Sequence, residues 1–349
     1  MHRLAILSAF SILVSLGGCG GGGRQSSTDE LGDGIEEGLS SAGSDSDSSD
    51  AESMTTVKFD EPDTGESAGT ATSGDNMDSG CKKVDLLFVI DNSGSMEDEQ
   101  INLVNSFPSF IDEIQVQLAD TEGYHIGVIS TDIYAFNDGC QQEGAMITAT
   151  GGNGSSGQVC GPFAEGHPYM TEMDNLDVAF SCAAQLGIAG DGDERGMQTM
   201  QAALSAGMNA PGGCNDGFLR DDALLVIVLI TDEEDDHEVD GCAQLPQPGS
   251  NGEPGGWYAG VVAAKGGVET NIVVLSLIGP PGPNPATCPA LDKCSGGVIG
   301  AEASPRIAQF ATMFTNGFVG RVCDASYAPF FVEAVSVIKS ACDGFEPIG

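Results

Sequence analysis

Basic residues are scarce in this 349-residue chain, which has 12 Lys and Arg against 52 Asp and Glu and a formal net charge of −40 at pH 7. Proteins that bind nucleic acid contact its phosphates with a basic face, and anionic lipid surfaces attract the same residues. The shortage therefore argues against nucleic-acid binding and against binding to an anionic lipid surface. Bound divalent cations would relieve part of the self-repulsion of such an acidic chain.

Motifs of several common enzyme classes are also missing. The chain has no HExxH or CxxC pattern for zinc and no GxSxG nucleophile motif. Its GxGxxG match, residues 152–157, leads into Val159-Cys160-Gly161-Pro162, which cannot open the helix that a dinucleotide site requires. The sequence therefore offers no recognisable set of catalytic residues, and we expect a protein that is not an enzyme.

The N-terminus has the form of an export signal. Its apolar stretch, Leu4 to Leu16, is too short to span a bilayer, and it ends in Leu16-Gly17-Gly18-Cys19, which resembles the lipobox of bacterial lipoproteins. The resemblance implies that residues 1–18 are removed and that Cys19 is lipidated, with several acyl chains giving firm attachment. Gly20 at the next position implies the outer membrane of a Gram-negative bacterium. An ordinary secretory signal with an incidental Cys is the alternative.

The next segment, residues 19–80, is dominated by Gly, Ser, Asp and Glu. Such a segment cannot bury enough apolar surface to offset the entropy of ordering, and we interpret it as a disordered acidic tether. An acidic recognition tail is the alternative. The remaining residues, 81–349, have the length of one large domain, with 37 acidic and 9 basic side chains.

Cysteine usage fits an exported protein. Besides Cys19, ten cysteines remain, and this even number predicts up to five disulfides in an oxidising compartment. The sequence does not fix their connectivity. The pairs we favour are Cys140 with Cys160, Cys288 with Cys294, and Cys81 with Cys342. The full set of candidates is Cys81, Cys140, Cys160, Cys182, Cys214, Cys242, Cys288, Cys294, Cys323 and Cys342.

Apolar runs and amphipathic segments alternate through the domain. Val84 to Ile90 and Leu224 to Ile230 are nearly unbroken apolar runs, as expected of parallel strands buried on both faces. The alternation predicts an α/β fold, a doubly wound, mostly parallel sheet with helices on both faces. Predicted strands are 84–91, 125–131, 223–231, 271–278 and 318–322; predicted helices are 97–118, 175–186, 194–208, 257–265, 305–314 and 327–340. A Cys-containing insertion, about 137–170, is expected to hold an antiparallel edge strand near 145–149.

Oxygen-bearing side chains follow two of these strands. Asp91, Ser93 and Ser95 come directly after the first run at alternate positions, and Thr231-Asp232 follows the run that ends at Ile230. Ligands of open α/β sheets bind at the carboxyl ends of the strands. Carboxylates, hydroxyls and water are the ligands of hard cations such as Mg²⁺. If the serines have no such role, they cap the next helix.

These residues resemble the DxSxS signature and the distal Asp of the von Willebrand factor A family, and the resemblance covers roughly residues 82–342. It implies the strand order 3-2-1-4-5-6, with Asp91 and Asp232 side by side. It also implies a metal-ion-dependent adhesion site in which Asp91, Ser93, Ser95 and Asp232 hold Mg²⁺, or Mn²⁺ or Ca²⁺. A carboxylate of a protein partner would take the open coordination position.

Two features depart from the family pattern, which places a Thr just before the helix that precedes the fourth strand. Here Thr199 is expected inside that helix. We therefore favour Glu194, nearer the start of the helix, as the metal ligand from the loop before it. A carboxylate at a helix N-terminus is also favoured by the helix dipole alone. The acidic run from Asp232 to Glu238 is the second departure. We interpret most of it as a solvated rim, with a second cation site as the alternative.

Together these features predict a surface-anchored lipoprotein whose domain binds a protein partner through a divalent cation, in adhesion or complex assembly. A structural acidic protein that binds cations over its surface is one alternative. A metal-dependent hydrolase is another, since a metal can activate water, but no residue is singled out as its general base.

Overall fold

The computed structural model describes residues 80–117, 121–137, 139–191, 194–235, 249–291 and 299–347, so the predicted signal segment and nearly all of the tether lie outside it. The strands are β1 (Lys83–Ile90), β2 (Gly123–Ser130), β3 (Leu224–Ile230), β4 (Ile272–Ile278) and β5 (Gly317–Arg321). The helices are α1 (Glu97–Gln117), α2 (Leu176–Ala184), α3 (Gly196–Ala203), α4 (Ala206–Asn209), α5 (Pro254–Ala264), α6 (Pro305–Thr312) and α7 (Ala328–Asp343). None of these helices combines the length and apolarity needed to cross a membrane.

The five strands form one parallel sheet in the order β2-β1-β3-β4-β5. Every residue of β3 and β4 is buried, as is every residue of β1 after Lys83. This burial on both faces explains why the strands are continuous apolar runs rather than alternating ones. The predicted α/β fold with a doubly wound parallel sheet is confirmed.

Helices cover both faces of the sheet. On one face α1, α2 and α7 pack around Phe88 of β1, and Phe107 of α1 stacks on Phe180 of α2 with ring centroids 3.4 Å apart. On the other face α3, α5 and α6 surround a second apolar core that includes Trp257, the single Trp of the chain. The sheet is therefore covered by an apolar core on each face.

The helix predicted over 194–208 is two helices in the structure, α3 and α4. Ser205 adopts an extended conformation between them, and its side chain accepts a hydrogen bond from the Met208 backbone N–H. Serine is favoured at such a position because its hydroxyl pairs a backbone N–H that the new helix leaves without an intrahelical partner. The periodic apolar pattern runs across this break, which is why the sequence predicted a single element.

The outer edge of β2 differs from the expectation as well. Residues 145–149 form no regular strand, and Ala149 makes an isolated antiparallel bridge with Val159. The insertion instead meets β2 at separate points, through the Ile147 N–H bonded to the Val128 carbonyl and a bridge between Ile126 and Met170. An exposed strand edge offers unpaired backbone groups to other chains, and these contacts cover part of it.

Four disulfides lie within the described residues. The predicted pair Cys81–Cys342 is confirmed and joins the residues before β1 to the end of α7, whereas the other two favoured pairs are wrong. Cys140 and Cys288 bond to distant cysteines and not to their neighbours in sequence, because the loop paths bring those distant residues within 6 Å between Cα atoms. The observed bonds are Cys81–Cys342, Cys140–Cys214, Cys160–Cys182 and Cys288–Cys323. Cys242 and Cys294 lie outside the described residues.

A buried ion pair closes the amino-terminal end of the sheet. Asp85 of β1 is fully buried and accepts hydrogen bonds from the backbone N–H and the Nε of Arg220, both at 2.8 Å. The Arg220 Nη2 lies 2.7 Å from the same carboxylate. Burial raises the pKa of Asp85 to about 6, against the opposing effect of Arg220. The pair therefore links the segment before β3 to the middle of the sheet.

Replacing Asp85 by Ala should lower the free energy of unfolding by about 3 kcal/mol, because it removes the charged partner of the partly buried Arg220 guanidinium. The matched control is Asp222→Ala, which removes the exposed Lys83–Asp222 pair and should cost about 1 kcal/mol or less. Urea unfolding followed by Trp257 fluorescence measures both. Equal losses in the two variants would contradict the role given to Asp85.

Candidate metal site

Three strands end at the same level of the sheet. Ile90, the last residue of β1, is in register with Ser130 of β2 and with Ile230 of β3. The residues that follow them, Asp91, Thr131 and Thr231, therefore start three neighbouring loops at one edge. The chain leaves β1 toward β2 on one side and leaves β3 toward β4 on the other. Such a switch point is where open α/β sheets leave a crevice for ligands.

In the loop after β1, a backbone N–H group hydrogen-bonds to the side chain of Asp91, the first residue of the loop. Asp91 is fully buried; its Oδ1 accepts a 2.7 Å hydrogen bond from the Ser93 N–H, and its Oδ2 accepts one of 2.6 Å from the Thr231 hydroxyl. The hydroxyls of Ser93 and Ser95 are 3.2 Å apart. Burial raises the pKa of Asp91, with the hydrogen bonds from Thr231 and Ser93 opposing it. The structure thus brings the three DxSxS oxygen-bearing groups into one small volume.

Asp232, after β3, is the least compensated carboxylate of the group. It is 1% exposed, and neither of its side-chain oxygens accepts a hydrogen bond, although the Ser95 hydroxyl lies close enough to lower its pKa. Burial, followed by the charges of Asp91 and Glu233, holds that pKa well above its ordinary value. The Asp232 carbonyl is fixed by the Glu302 N–H at 2.7 Å, so the backbone that carries the side chain is held in place.

The loop between α2 and α3, which we call the third loop, brings Glu194, and not Thr199, to this cluster. Glu194 is 6% exposed, its Oε2 accepts a hydrogen bond from the Thr131 hydroxyl, and its Oε1 is buried without a partner. Burial, and then the charge of Asp91, raises its pKa well above the ordinary value. Thr199 lies inside α3, where its hydroxyl donates to the Gly196 carbonyl.

Glu99, in the first turn of α1, is a buried carboxylate that the sequence reasoning missed. It is 4% exposed, and its Oε2 has no hydrogen-bond partner. Burial, a hydrogen bond with Asp98 and the charge of Asp232 raise its pKa to about 9. A signal for it exists, because Glu99 stands four residues before Leu103 on the apolar face predicted for this helix.

Gln100, also missed, ties the third loop to the first. Its Nε2 donates to the carbonyls of Asp91 and Gly187, at 2.9 and 3.0 Å, and its Oε1 accepts from the Gly187 N–H at 2.9 Å. Further along, the Gly190 N–H donates to the Asn92 carbonyl at 3.0 Å. These bonds hold the third loop against the residues that follow β1. Next to Glu194, the Arg195 N–H donates to the Thr131 carbonyl at 3.1 Å.

The acidic run after β3 is not a solvated rim where the structure describes it, and that interpretation is wrong for residues 232–235. Glu234 accepts hydrogen bonds from the N–H groups of Arg306 and Ile307 at the start of α6. Asp235 accepts from the Met197 N–H at the start of α3. Carboxylates are favoured there because a helix N-terminus carries unpaired N–H groups and a partial positive charge. Residues 236–238 lie outside the described residues.

The chemistry of the cluster fits a hard cation. Within the described residues no three His, Cys, Asp or Glu side chains are arranged to hold a metal ion by themselves. The loop after β1 instead places two hydroxyls near Asp232, and Asp232 and Glu194 together have three buried oxygens without partners. Burial without a partner disfavours the ionised form of both carboxylates, and their pKa values are raised for that reason. A divalent cation that takes hydroxyl, carboxylate and water ligands would provide the missing partner.

Comparison with known proteins adds little. No protein-family model and no curated protein sequence matches the chain. Among solved structures it is similar to proximal thread matrix protein 1 from the mussel byssus, at 12% identity and a TM-score of 0.36, over 74% of this chain and 49% of that one. It is also similar to a von Willebrand factor type A structure from Catenulispora acidiphila, at 14% identity and a TM-score of 0.35, over 73% of this chain and 42% of that one. The chain spans less than half of either structure, and neither likeness bears on its function.

The raised pKa values predict a stability that falls with pH when no cation is bound. An acid whose pKa is raised by folding stabilises the fold below its unfolded pKa, and this contribution is lost as the pH rises through the folded value. For Glu99 that window runs from 4.5 to about 9. In chelator, the melting temperature should therefore fall between these limits by roughly 3 °C or more, and Mg²⁺ should restore it at the alkaline end.

Thermal unfolding followed by Trp257 fluorescence tests this, with Glu99→Gln as the informative variant and Glu97→Gln, at its exposed neighbour, as the matched control. Glu99→Gln should flatten the dependence and Glu97→Gln should not. A melting temperature that stays constant over this range in chelator would refute the prediction.

Proposed function

We propose that this chain is a surface-anchored protein that binds a divalent cation and, through it, a protein partner, and that it acts as a binding protein rather than an enzyme. The observation that carries the proposal is Asp232, which is buried with both carboxylate oxygens unpaired, beside Asp91 and the hydroxyl of Ser95. A buried carboxylate without a partner is costly to a fold, and a bound cation would provide the partner.

Asp91, Ser93, Ser95 and Asp232 would hold the cation, with Glu194 as the third-loop ligand. The two hydroxyls are the neutral ligands, and the aspartates supply negative charge directly or through water. Mg²⁺ suits a site of this kind, and Mn²⁺ or Ca²⁺ could replace it. A bound divalent cation would supply a Lewis-acidic centre with a coordination position for a carboxylate oxygen of the partner. Gln100 and Thr131 would keep the loops in place around it.

The lipobox resemblance supports attachment to the outer membrane through Cys19, with the acidic segment 19–80 as a spacer between the membrane and the domain. Several acyl chains on one residue anchor a protein firmly, whereas a single chain does not. A partner on the same surface or on another one could then be reached by the domain. This arrangement suits adhesion or the assembly of a surface complex.

Asp91→Ala should lower the affinity for Mg²⁺, Mn²⁺ and Ca²⁺ by about tenfold or more while the domain stays folded, because the sheet and the disulfides do not depend on the ion. Calorimetric titration of each ion measures this. Asp112→Ala, at an exposed position of α1, is the matched control and should bind as the wild type does. Equal affinities in wild type and Asp91→Ala would refute the site. A partner pull-down that EDTA does not change would refute the role of the ion in binding.

Cys19→Ser should release the protein from the membrane fraction into the soluble fraction, because the lipid anchor cannot form. Gly20→Asp is the companion variant. It should stay membrane-bound but fractionate with the inner membrane, since the lipobox resemblance assigns sorting to that position. Immunoblots of separated membranes measure both variants, and a Cys19→Ser protein that remains in the membrane fraction would contradict the anchor.

A further inference from the structure

The loop after β1 is covered except at one residue. Asp91, Asn92, Ser93, Ser95 and Met96 are buried, and Gly94, between the two serines, is exposed. A Cβ built on Gly94 would meet no atom within 4 Å, and its backbone is not in the left-handed region that favours glycine. Gly94 therefore faces open space at the surface of the loop that carries Ser93 and Ser95, and a side chain could be placed there without strain.

The loops around this position are strongly acidic, and the two nearby arginines are already paired, Arg306 with the Asp235 carbonyl and Glu253, and Arg195 with Glu143. Four segments border this position, which we name the crevice segments: residues 91–102, 131–137, 186–191 and 231–235. Together they contain ten Asp and Glu and no Lys or Arg. Glu97, Asp98 and Asp191 among them are exposed. Residues 186–191 are included among the crevice segments because the Gly190 N–H donates to the Asn92 carbonyl and the Asp191 N–H lies 3.0 Å from the Asp132 carboxylate.

This charge decides what kind of carboxylate can approach. A divalent cation offsets two negative charges, which leaves the exposed acids of the rim uncompensated. A partner whose carboxylate stands in an acidic or neutral surface would be repelled before it reached the ion, whereas basic neighbours would speed its approach and pair with the rim. Arg195, the nearest basic residue in sequence to Glu194, is already engaged with Glu143 at 3.8 Å.

We propose that the partner enters over Gly94 and presents its carboxylate from a segment rich in Lys or Arg. This inference rests on the proposed function, since it assumes the ion, and it adds the place of entry and the chemistry of the partner. The ion and the carboxylate would provide the central contact. The exposed acids of the crevice segments would provide orientation and a fast encounter that weakens with salt.

Three labelled peptides of equal length test the charge requirement on the purified full chain in Mg²⁺. The first has one Asp flanked by two Lys on each side, the second has Asn in place of that Asp, and the third has the Asp flanked by Glu. We expect the first to bind, the other two to bind at least about tenfold more weakly, and EDTA to abolish binding of the first. Fluorescence anisotropy measures each affinity.

Gly94→Tyr tests the place of entry. It should weaken binding of the Lys-flanked peptide about tenfold or more and leave the calorimetric Mg²⁺ affinity unchanged, because the ring covers the opening without touching the ligands. Gly256→Tyr is the matched control, since Gly256 is exposed on α5 and a Cβ there also meets no atom within 4 Å.

The outcomes separate this inference from the proposed function. Unchanged peptide binding in Gly94→Tyr would overturn the place of entry, and equal binding of the Lys- and Glu-flanked peptides would overturn the partner chemistry. A chain that binds Mg²⁺ but none of the peptides would overturn the inference and leave the ion site intact. A chain that binds no divalent cation would overturn the proposed function itself.

Discussion

The constraint on which the rest of this structure depends is the burial of several carboxylates where three parallel strands end together. Asp91, Asp132, Glu194 and Asp232 are each less than 9% exposed. The negative charge of one carboxylate raises the free energy of the ionised form of its neighbours, and burial raises that free energy further. The apolar runs of β1, β2 and β3 impose this arrangement, because strands packed in register must release their next residues at one edge. The acidic loops therefore cannot separate without disturbing the sheet.

The buried acids divide into two groups by their partners. Asp132 accepts the Ser130 hydroxyl and the Asp191 N–H, and Glu234 and Asp235 accept N–H groups at the starts of α6 and α3. These hydrogen bonds from the fold itself offset the free-energy cost of burying the three carboxylates. Asp232 and Glu194 have oxygens that nothing in the described residues completes. A structural role explains the first group, and the second group is the one that the proposed cation would complete.

The sequence anticipated the strands and the loop positions because these follow from local patterns. An unbroken apolar run marks a strand buried on both faces, and the polar residue after it marks the edge. Cys140–Cys214 and Cys288–Cys323 were beyond such reasoning, because their pairing depends on the paths of long loops. The role of Glu234 could not be predicted either, because the N–H groups that donate hydrogen bonds to it belong to residues more than 70 positions further along the chain.

Glu99 marks the boundary between what local patterns determine and what they leave open. Three acidic residues in a row begin α1, and their composition does not say which of them faces inward. The helical periodicity shows that it is Glu99, because Leu103 and Phe107 follow it at intervals of four residues and are fully buried. A carboxylate on the apolar face of a helix contradicts the pattern around it. Such local contradictions are expected at functional sites.

The two ends of β1 give the strongest reason to look for a cation. Asp85 near its start and Asp91 just after its end are both fully buried. Asp85 receives the guanidinium of Arg220, in a domain with only 9 basic side chains across residues 81–349. None of the crevice segments around Asp91 contains a Lys or Arg. One strand therefore shows how this fold compensates a buried aspartate from its own residues, and it does so at one end only. At the other end no crevice segment supplies such a partner, and the divalent ion that we propose there would provide the positive charge.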